Sequence, residues 1–390
     1  MQHASILFVD QSGEMGGAEL SLFDIARHHA RDSKVILLSD GLFREQLRAV
    51  GVDVEVLALG LAGRVERDSR LSNALSAIPS LLKNALGLAR RAHSHDLLYA
   101  NTQKAFVVAA LASAIARKPL VWHLRDILTA AHFSPGLRRL VVALANRFAT
   151  CVIANSQATA DAFRFAGGNC AVHVVHNGID PAPFDAIDRD GARQALRREL
   201  RSGSAPLVGA FSRLAEWKGQ HVLVEAMRDL PEVHAVFVGG ALFGEDAYEA
   251  RLKRLAMDLG VSERCHFLGF RRDIPALMVG VDIVLHTSIT PEPFGRVVVE
   301  GMLSGKPVIA TEGGGINEII DDGNTGLLVP PGDPQALHAA VRQLLDVRDR
   351  AMVLAERGRV EAHRKFSLRA CLAGVDAVIA GVMRAPRAMP

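Results

Sequence analysis

The sequence predicts an α/β protein made of two doubly wound units, and three observations carry that expectation. Its 390 residues exceed what a single hydrophobic core usually serves, so two domains are the natural division. In the first half, short apolar runs ("ASILFVD", "KVILLS", "VDVEVLAL", "DLLYAN", "PLVWHL", "TCVIANS", "AVHVVHNGID") alternate with helical patterns, as parallel strands joined by helices do. After the proline-containing passage "NGIDPAPFDAIDRDGAR" the cycle restarts with "PLVGAFS", "HAVFVGG", "CHFLGF", "DIVLHTS" and "PVIATE". Two such units place a ligand cleft between them, near the carboxyl ends of their strands. The expected domains are residues 1–185 and 186–365, with 366–390 holding an amphipathic helix, "FSLRACLAGVDAVIAGVMR", that crosses back to the first. The closing "MRAPRAMP" reads as a frayed tail.

Composition narrows the class. With 49% hydrophobic and 22% charged residues, the chain can bury a sizeable core and has no compositional case for disorder. Cys151, Cys170, Cys265 and Cys371 lack metal-ligand spacing and read as reduced thiols. No secretory signal is visible, and "AFVVAALASAIA" is too short to span a bilayer, so a cytoplasmic protein is expected. The net charge is only +3, but Arg64 to Arg147 holds thirteen Lys or Arg against four Asp or Glu. Such a block reads mostly as a solvated face; it could also attract an acidic acceptor, an anionic membrane or nucleic acid.

The stretch "TPEPFGRVVVEGMLSGKPVIATEGGG" keeps two acids, Glu292 and Glu300, in an apolar, glycine-rich run. Pro293 suits the first turn of a helix, and "FGRVVVEGML" has apolar residues at helical spacing. A start near Pro293 would leave the amides of Phe294, Gly295 and Arg296 unpaired, forming an end that binds an anion or a hydroxylated ligand. Glu300 would then lie two turns inside. Extrapolated as ideal helix, the acids are displaced by about 80° and roughly 12 Å along the axis, able to reach one elongated ligand from its two ends. Taken alone, the pair also reads as a dipole-favouring acid and a surface acid.

Seven motifs in order make the reading specific: "GGAE" (16–19), "WHLRD" (122–126), "ANS" (154–156), "HNGID" (176–180), "SRLAEWKG" (212–219), "EPFGRVVVE" (292–300) and "GGGINEIIDDGNTGLLVPPGD" (313–333). With them the chain resembles the retaining glycosyltransferases of the two-domain GT-B type, in glycosyltransferase family 4, which use nucleotide-activated sugars. The resemblance covers nearly the whole chain. It implies a donor such as a UDP- or GDP-sugar and an acceptor that is a glycan, a lipid-linked molecule or a small molecule, with no nucleic acid partner.

The chemistry explains the residue types. A departing nucleoside diphosphate gathers negative charge, so cations and amides should be aimed at it. Arg213 and Lys218 are the candidates, a planar fork and a compact charge on a loop that opens a helix. The resemblance implies that they replace a divalent metal; no Asp-x-Asp metal motif is read in the sequence, and neither metal nor cofactor is expected. Gly16 and Gly17 follow the first strand and would let backbone approach phosphate or sugar, although "GEMGGAE" lacks the dinucleotide-binding G-x-G-x-x-G spacing. By resemblance, Glu300 grips ribose hydroxyls, and Glu292 contacts the transferred sugar and stabilises positive charge near its anomeric carbon. Phe294, Gly295 and Arg296 complete that pocket. Phe270 and Arg271, in "GFRRDI", fall where relatives hold the base through backbone atoms.

His123, at the end of a strand, matches a position beside the transferred sugar, and Arg125 and Asp126 follow as acceptor contacts. Leu137, Leu140, Val141, Leu144 and Phe148 share one helical face, read as core with a wet basic edge. Contact with an anionic membrane, at the inner membrane face, is the sharper reading of that edge. Competing functions are a sugar-nucleotide-binding protein without turnover and a nicotinamide-dependent oxidoreductase, which the missing dinucleotide fingerprint disfavours.

Overall fold

Runs of β-branched and aliphatic residues long enough for one strand become the buried centre of two parallel sheets. The computed structural model of the chain describes residues 4–58, 71–129, 133–241 and 245–384. Arg64, Arg67 and Arg70 of the basic block, and residues 385–390 of the tail, lie outside them. Two compact units form, one of Met1–Gly178 with Cys371–Pro390 and one of Ile179–Ala370.

The first unit runs β1 (Ile6–Asp10), α1 (Gly17–His28), β2 (Lys34–Leu37), α2 (Leu42–Ala49), β3 (Asp53–Val56), α3 (Leu71–Ala92), β4 (Leu97–Ala100), α4 (Gln103–Ala116), β5 (Leu120–Leu124), α5 (Pro135–Phe148), β6 (Cys151–Ala154), α6 (Gln157–Phe165) and β7 (Ala171–Val174). Its strands are all parallel, in the order β3-β2-β1-β4-β5-β6-β7. Because side chains alternate across a strand, Leu7 and Val9 face one core with Phe106 and Trp122, while Ile6 and Phe8 face another with Leu22 and Phe43.

The second unit runs α7 (Ala182–Asp185), α8 (Arg189–Leu200), β8 (Leu207–Phe211), α9 (Gln220–Ala226), β9 (His234–Val238), α10 (Asp246–Asp258), β10 (Cys265–Gly269), α11 (Ile274–Gly280), β11 (Ile283–His286), α12 (Arg296–Leu303), β12 (Val308–Thr311), α13 (Ile316–Ile319), β13 (Leu327–Val329), α14 (Pro334–Asp346) and α15 (Arg348–Lys365). Its parallel strands lie in the order β10-β9-β8-β11-β12-β13. The predicted α/β class with two doubly wound parallel sheets is therefore present. In each sheet the order reverses once, between β1 and β4 and between β8 and β11, and the carboxyl ends there are where open parallel sheets receive ligands.

The last helix, α16 (Leu368–Arg384), puts Cys371, Val375, Val378 and Ile379 into the first unit's core beside Phe8, Val35 and Tyr99. Helix α5 is capped by Ser134, whose Oγ accepts from Leu137 N, and Pro135 opens its first turn. Its buried stripe is Val141, Val142 and Ala145; Leu140, expected on the core face, is 52% exposed. The helix packs on α4 along a narrower stripe than the sequence pattern suggests.

Candidate active site

In the second unit the ends of β8, β11 and β12 feed one polar cluster. Lys218, in the 3-10 turn after β8, donates from Nζ to Glu292 Oε1. His286 Nε2, at the end of β11, lies 3.0 Å from the same oxygen, and Ser288 Oγ donates to it at 2.6 Å. Burial alone would raise the pKa of Glu292, but the charges of Lys218 and His286 and their hydrogen bonds hold it well below the usual carboxylate range. Its other oxygen, Oε2, has no partner among the described residues.

The backbone around the cluster is stitched in place. Thr287 Oγ1 donates to Lys218 O at 2.8 Å, and Ile289 N donates to Trp217 O at 2.9 Å. Arg213 and Lys218 both lie against the Trp217 ring, with Cζ 5.5 Å and Nζ 4.2 Å from its centroid. Glu292 pairs by its backbone with Gly314, and Gly315 N donates to Glu292 O at 2.8 Å. Gly314 has φ +62°, and a Cβ there would sit 2.1 Å from Glu292 O, so that crossing requires glycine.

The helix after Glu292 begins later than the sequence suggests. Gly295, at φ +101°, is left-handed and serves as its N-cap, so α12 opens at Arg296 rather than near Pro293. The first-turn amides are those of Arg296 and Val297, with Val298 N donating to Gly295 O at 3.1 Å, instead of those of Phe294, Gly295 and Arg296. Glu300 is consequently one turn inside α12, not two, and ideal-helix extrapolation from Glu292 does not apply. It pairs with Arg296 at 3.6 Å, and burial raises its pKa against that cation.

Other expected donor residues are more dispersed. The Phe294 ring is buried in the core, edge-on to Phe366. Phe270 is 74% exposed. The Arg271 guanidinium is closed by Asp273 and Glu199, at 2.7 and 2.6 Å. One Asp-x-Asp triplet does exist, Asp188-Arg189-Asp190, but it lies exposed at the start of α8, and its arginine donates to Ser304 O at 2.9 Å.

In the first unit, Gly16 is the N-cap of α1 and Gly17 its first residue, but the Gly16 amide, expected to face a ligand, donates to Glu19 Oε2 at 3.0 Å. This is the return half of a capping box. Beneath it lies a buried network: Asn101 Nδ2 donates to Asp10 Oδ2 at 2.6 Å, and Arg125 donates to Asn101 Oδ1, Ser21 Oγ and Asn177 Oδ1. Burial, then the neighbouring Glu19, raises Asp10 to about 7; burial likewise raises Glu19. The acceptor contact expected of Arg125 does not fit a buried guanidinium that ties β4, β5, α1 and the "HNG" segment together. Asp126 beside it is half-buried.

His123, the next-to-last residue of β5, is fully buried, its Nδ1 hydrogen-bonded to the Tyr99 hydroxyl and its Nε2 without a partner among the described residues. Burial and the nearby Arg125 hold its pKa well below the ordinary value, so the ring is neutral near pH 7.

Sequence reasoning missed His286, Ser288, Thr311 and Trp217 in the second unit, and Asp10, Glu19, Asn101 and Asn177 in the first. The signal for His286 was available: it falls at the end of the apolar run "DIVLH", much as His123 falls near the end of "PLVWHL".

Residues 15–183 match glycosyltransferase family 4 and residues 192–361 match glycosyl transferases group 1. Crystal structures of HepE from Anabaena, in complexes with UDP and glucose or with UDP-glucose, are 41% identical in sequence, with TM-scores of 0.87 and 0.88. They cover 97% of this chain and 100% of theirs. A lipopolysaccharide core biosynthesis glycosyltransferase of Rhizobium meliloti, LpsE, is 31% identical over 56% of this chain and 61% of its own. A D-inositol 3-phosphate glycosyltransferase of Mycolicibacterium gilvum is 36% identical over 42% of this chain and 37% of its own. The chain thus spans less than two thirds of either relative. Sucrose-phosphate synthase from Thermosynechococcus elongatus, at 19% identity and a TM-score of 0.80, shares the fold. With matches to both halves and a relative alike over its full length, the chain belongs to the family 4 (group 1) glycosyltransferases of the GT-B type.

Proposed function

We propose that the protein transfers a sugar from a UDP-sugar to a hydroxyl of a glycan, lipid-linked or small-molecule acceptor, with retention and without a metal ion. The observation that carries this reading is the cluster at the carboxyl ends of β8 and β11, where Arg213 and Lys218 stand over one indole and Lys218 meets Glu292. HepE, 41% identical, binds UDP-glucose.

In this reading Arg213, Lys218 and the first amides of α12 take the charge that develops on the departing diphosphate. Glu292 Oε2 accepts from a hydroxyl of the transferred sugar. Glu300 accepts from the ribose, and His123, neutral and with Nε2 free, donates to a sugar hydroxyl. The anomeric carbon–phosphate oxygen bond breaks as the acceptor oxygen bonds to the same face of that carbon, and the acceptor proton passes to the leaving phosphate. Measuring UDP release from UDP-glucose and related donors, with and without EDTA, tests it. Release unaffected by EDTA is expected. Strict metal dependence would remove the role given to the two cations, and binding without release would make the protein a sugar-nucleotide receptor.

Contact with an anionic membrane is part of the same proposal. Helices α3, α4 and α5 pack in series and contain no Asp or Glu. They expose Leu82, Leu86, Ile115 and Leu140 among Lys83, Arg90, Arg139 and Arg147. Apolar side chains rimmed by cations suit an acidic lipid surface. Sedimentation with phosphatidylglycerol vesicles at low salt should carry the protein down; no binding would dismiss this part alone.

A further inference from the structure

We propose that His286 is the positioning residue of the donor site: it carries a proton on both ring nitrogens and, as an imidazolium, orients Glu292 so that Oε1 is occupied and Oε2 is presented to the ligand. The inference rests on the donor reading above and adds a residue and a charge to it.

The argument is a proton inventory. The Thr311 hydroxyl has one proton, and its Oγ1 lies 2.7 Å from Ser288 O, a carbonyl that can only accept. That proton is therefore spent. His286 Nδ1 lies 3.2 Å from the same Oγ1, so the ring nitrogen has to be the donor. On the other side, Nε2 lies 3.0 Å from Oε1 of an ionised carboxylate, which again can only accept. Both ring positions thus face acceptors, and a neutral imidazole has a single N–H for the two. The ring is buried at 4% exposure, with both nitrogens directed at these protein acceptors.

The surroundings bear on the charge. From the loop after β8, Arg213 and Lys218 bring two cations, with Lys218 on the shared oxygen; from the loop after β11 comes Glu292. Thr311 closes β12, followed by the exposed Glu312, and α12 carries the Arg296 and Glu300 pair. Lys218, His286 and Glu292 together leave one positive charge in excess. A buried excess cation is costly in an empty pocket and favourable beside a diphosphate, and it is preorganised before the ligand arrives. Three donors on Oε1 also prevent the carboxylate from rotating, which leaves Oε2 as its one open acceptor.

The test is nitrogen NMR of the protein labelled with 15N-histidine, at pH 7.5, with the His286 signal assigned by its loss in His286→Gln. Two protonated ring nitrogens are expected; a single protonated nitrogen overturns the proposal even if UDP binds. Should His286→Gln fail to fold, Thr311→Val supplies the second measurement, because it removes the acceptor from Nδ1 while keeping the shape. Its ring is expected to show a single protonated nitrogen at pH 7.5. Turnover with UDP-glucose at that pH should then fall about tenfold below the wild type, with a smaller change in KM. A Thr311→Val ring that keeps both protons, or turnover equal to the wild type, would also overturn the assignment. Calorimetry with UDP separates the two ideas: a doubly protonated ring without UDP affinity refutes the donor reading alone.

Discussion

Lys218 and Glu292, 74 positions apart in sequence, form a buried ammonium–carboxylate pair in which the carboxylate also receives His286 and Ser288. Removing one member leaves the other charge desolvated. Lys218→Ala should cost about 3 kcal/mol of stability and lower turnover by about 100-fold. Urea denaturation and initial rates check the two effects. Wild-type values in both would show the pair to be incidental.

Gly314 holds the backbone of Glu292 through a crossing with no room for a side chain. Gly314→Ala forces a methyl to within 2.1 Å of Glu292 O at a φ of +62°. A loss of about 1–3 kcal/mol is expected from the strain, together with reduced activity as Glu292 shifts. Calorimetric melting and assay should report both; an active, equally stable variant would mean the crossing is loose.

Asp10 links stability to pH in the first unit. Its carboxyl is raised from the ordinary 3.8 to about 7, so between those values the folded protein keeps a proton that the unfolded chain has released. Stability contributed by this group is complete below about pH 4 and gone above about pH 7. Asp10→Asn, which keeps an acceptor for Ser12 N, should flatten that decline. Denaturation midpoints at pH 5 and pH 8 for both proteins measure it, and parallel declines would exclude Asp10 as the source.

Tyr99 fixes the proton arrangement of His123. Its own ionisation is pushed upward, chiefly by burial, so the hydroxyl stays protonated and can donate to Nδ1, leaving the N–H on Nε2. Tyr99→Phe should cost about 1 kcal/mol of stability and reduce kcat more than donor affinity. Unchanged kcat would detach His123 from the reaction.

Much of this was legible in the sequence, and the gaps have physical causes. Strand runs such as "SILFVD" and "DIVLH" fix their elements because only a doubly covered parallel strand tolerates that continuity. The start of α12 differs from the expectation because Pro293 is a helix opener by propensity, whereas Gly295 adopts a left-handed turn closely packed against Ile316, where a Cβ would sit 2.2 Å from Ile316 Cδ1. The capping box at Gly16 and Glu19 is readable as a local spacing. The partners of Arg125, at positions 21, 101 and 177, are not, since nothing local connects residues that far apart. Leu140 shows the same limit from another side: its helical phase fits the core, but it stays half exposed among the described residues.

Because Cys371, Val375 and Ile379 of α16 complete the hydrophobic interior built around β1 and β2, the amino-terminal half is still missing part of its interior when its own residues have left the ribosome. Its maturation waits for the final helical turns to be translated. Ending translation before residue 371 would therefore damage the first unit, and a nascent chain arrested there should remain protease-sensitive around β1 and β2.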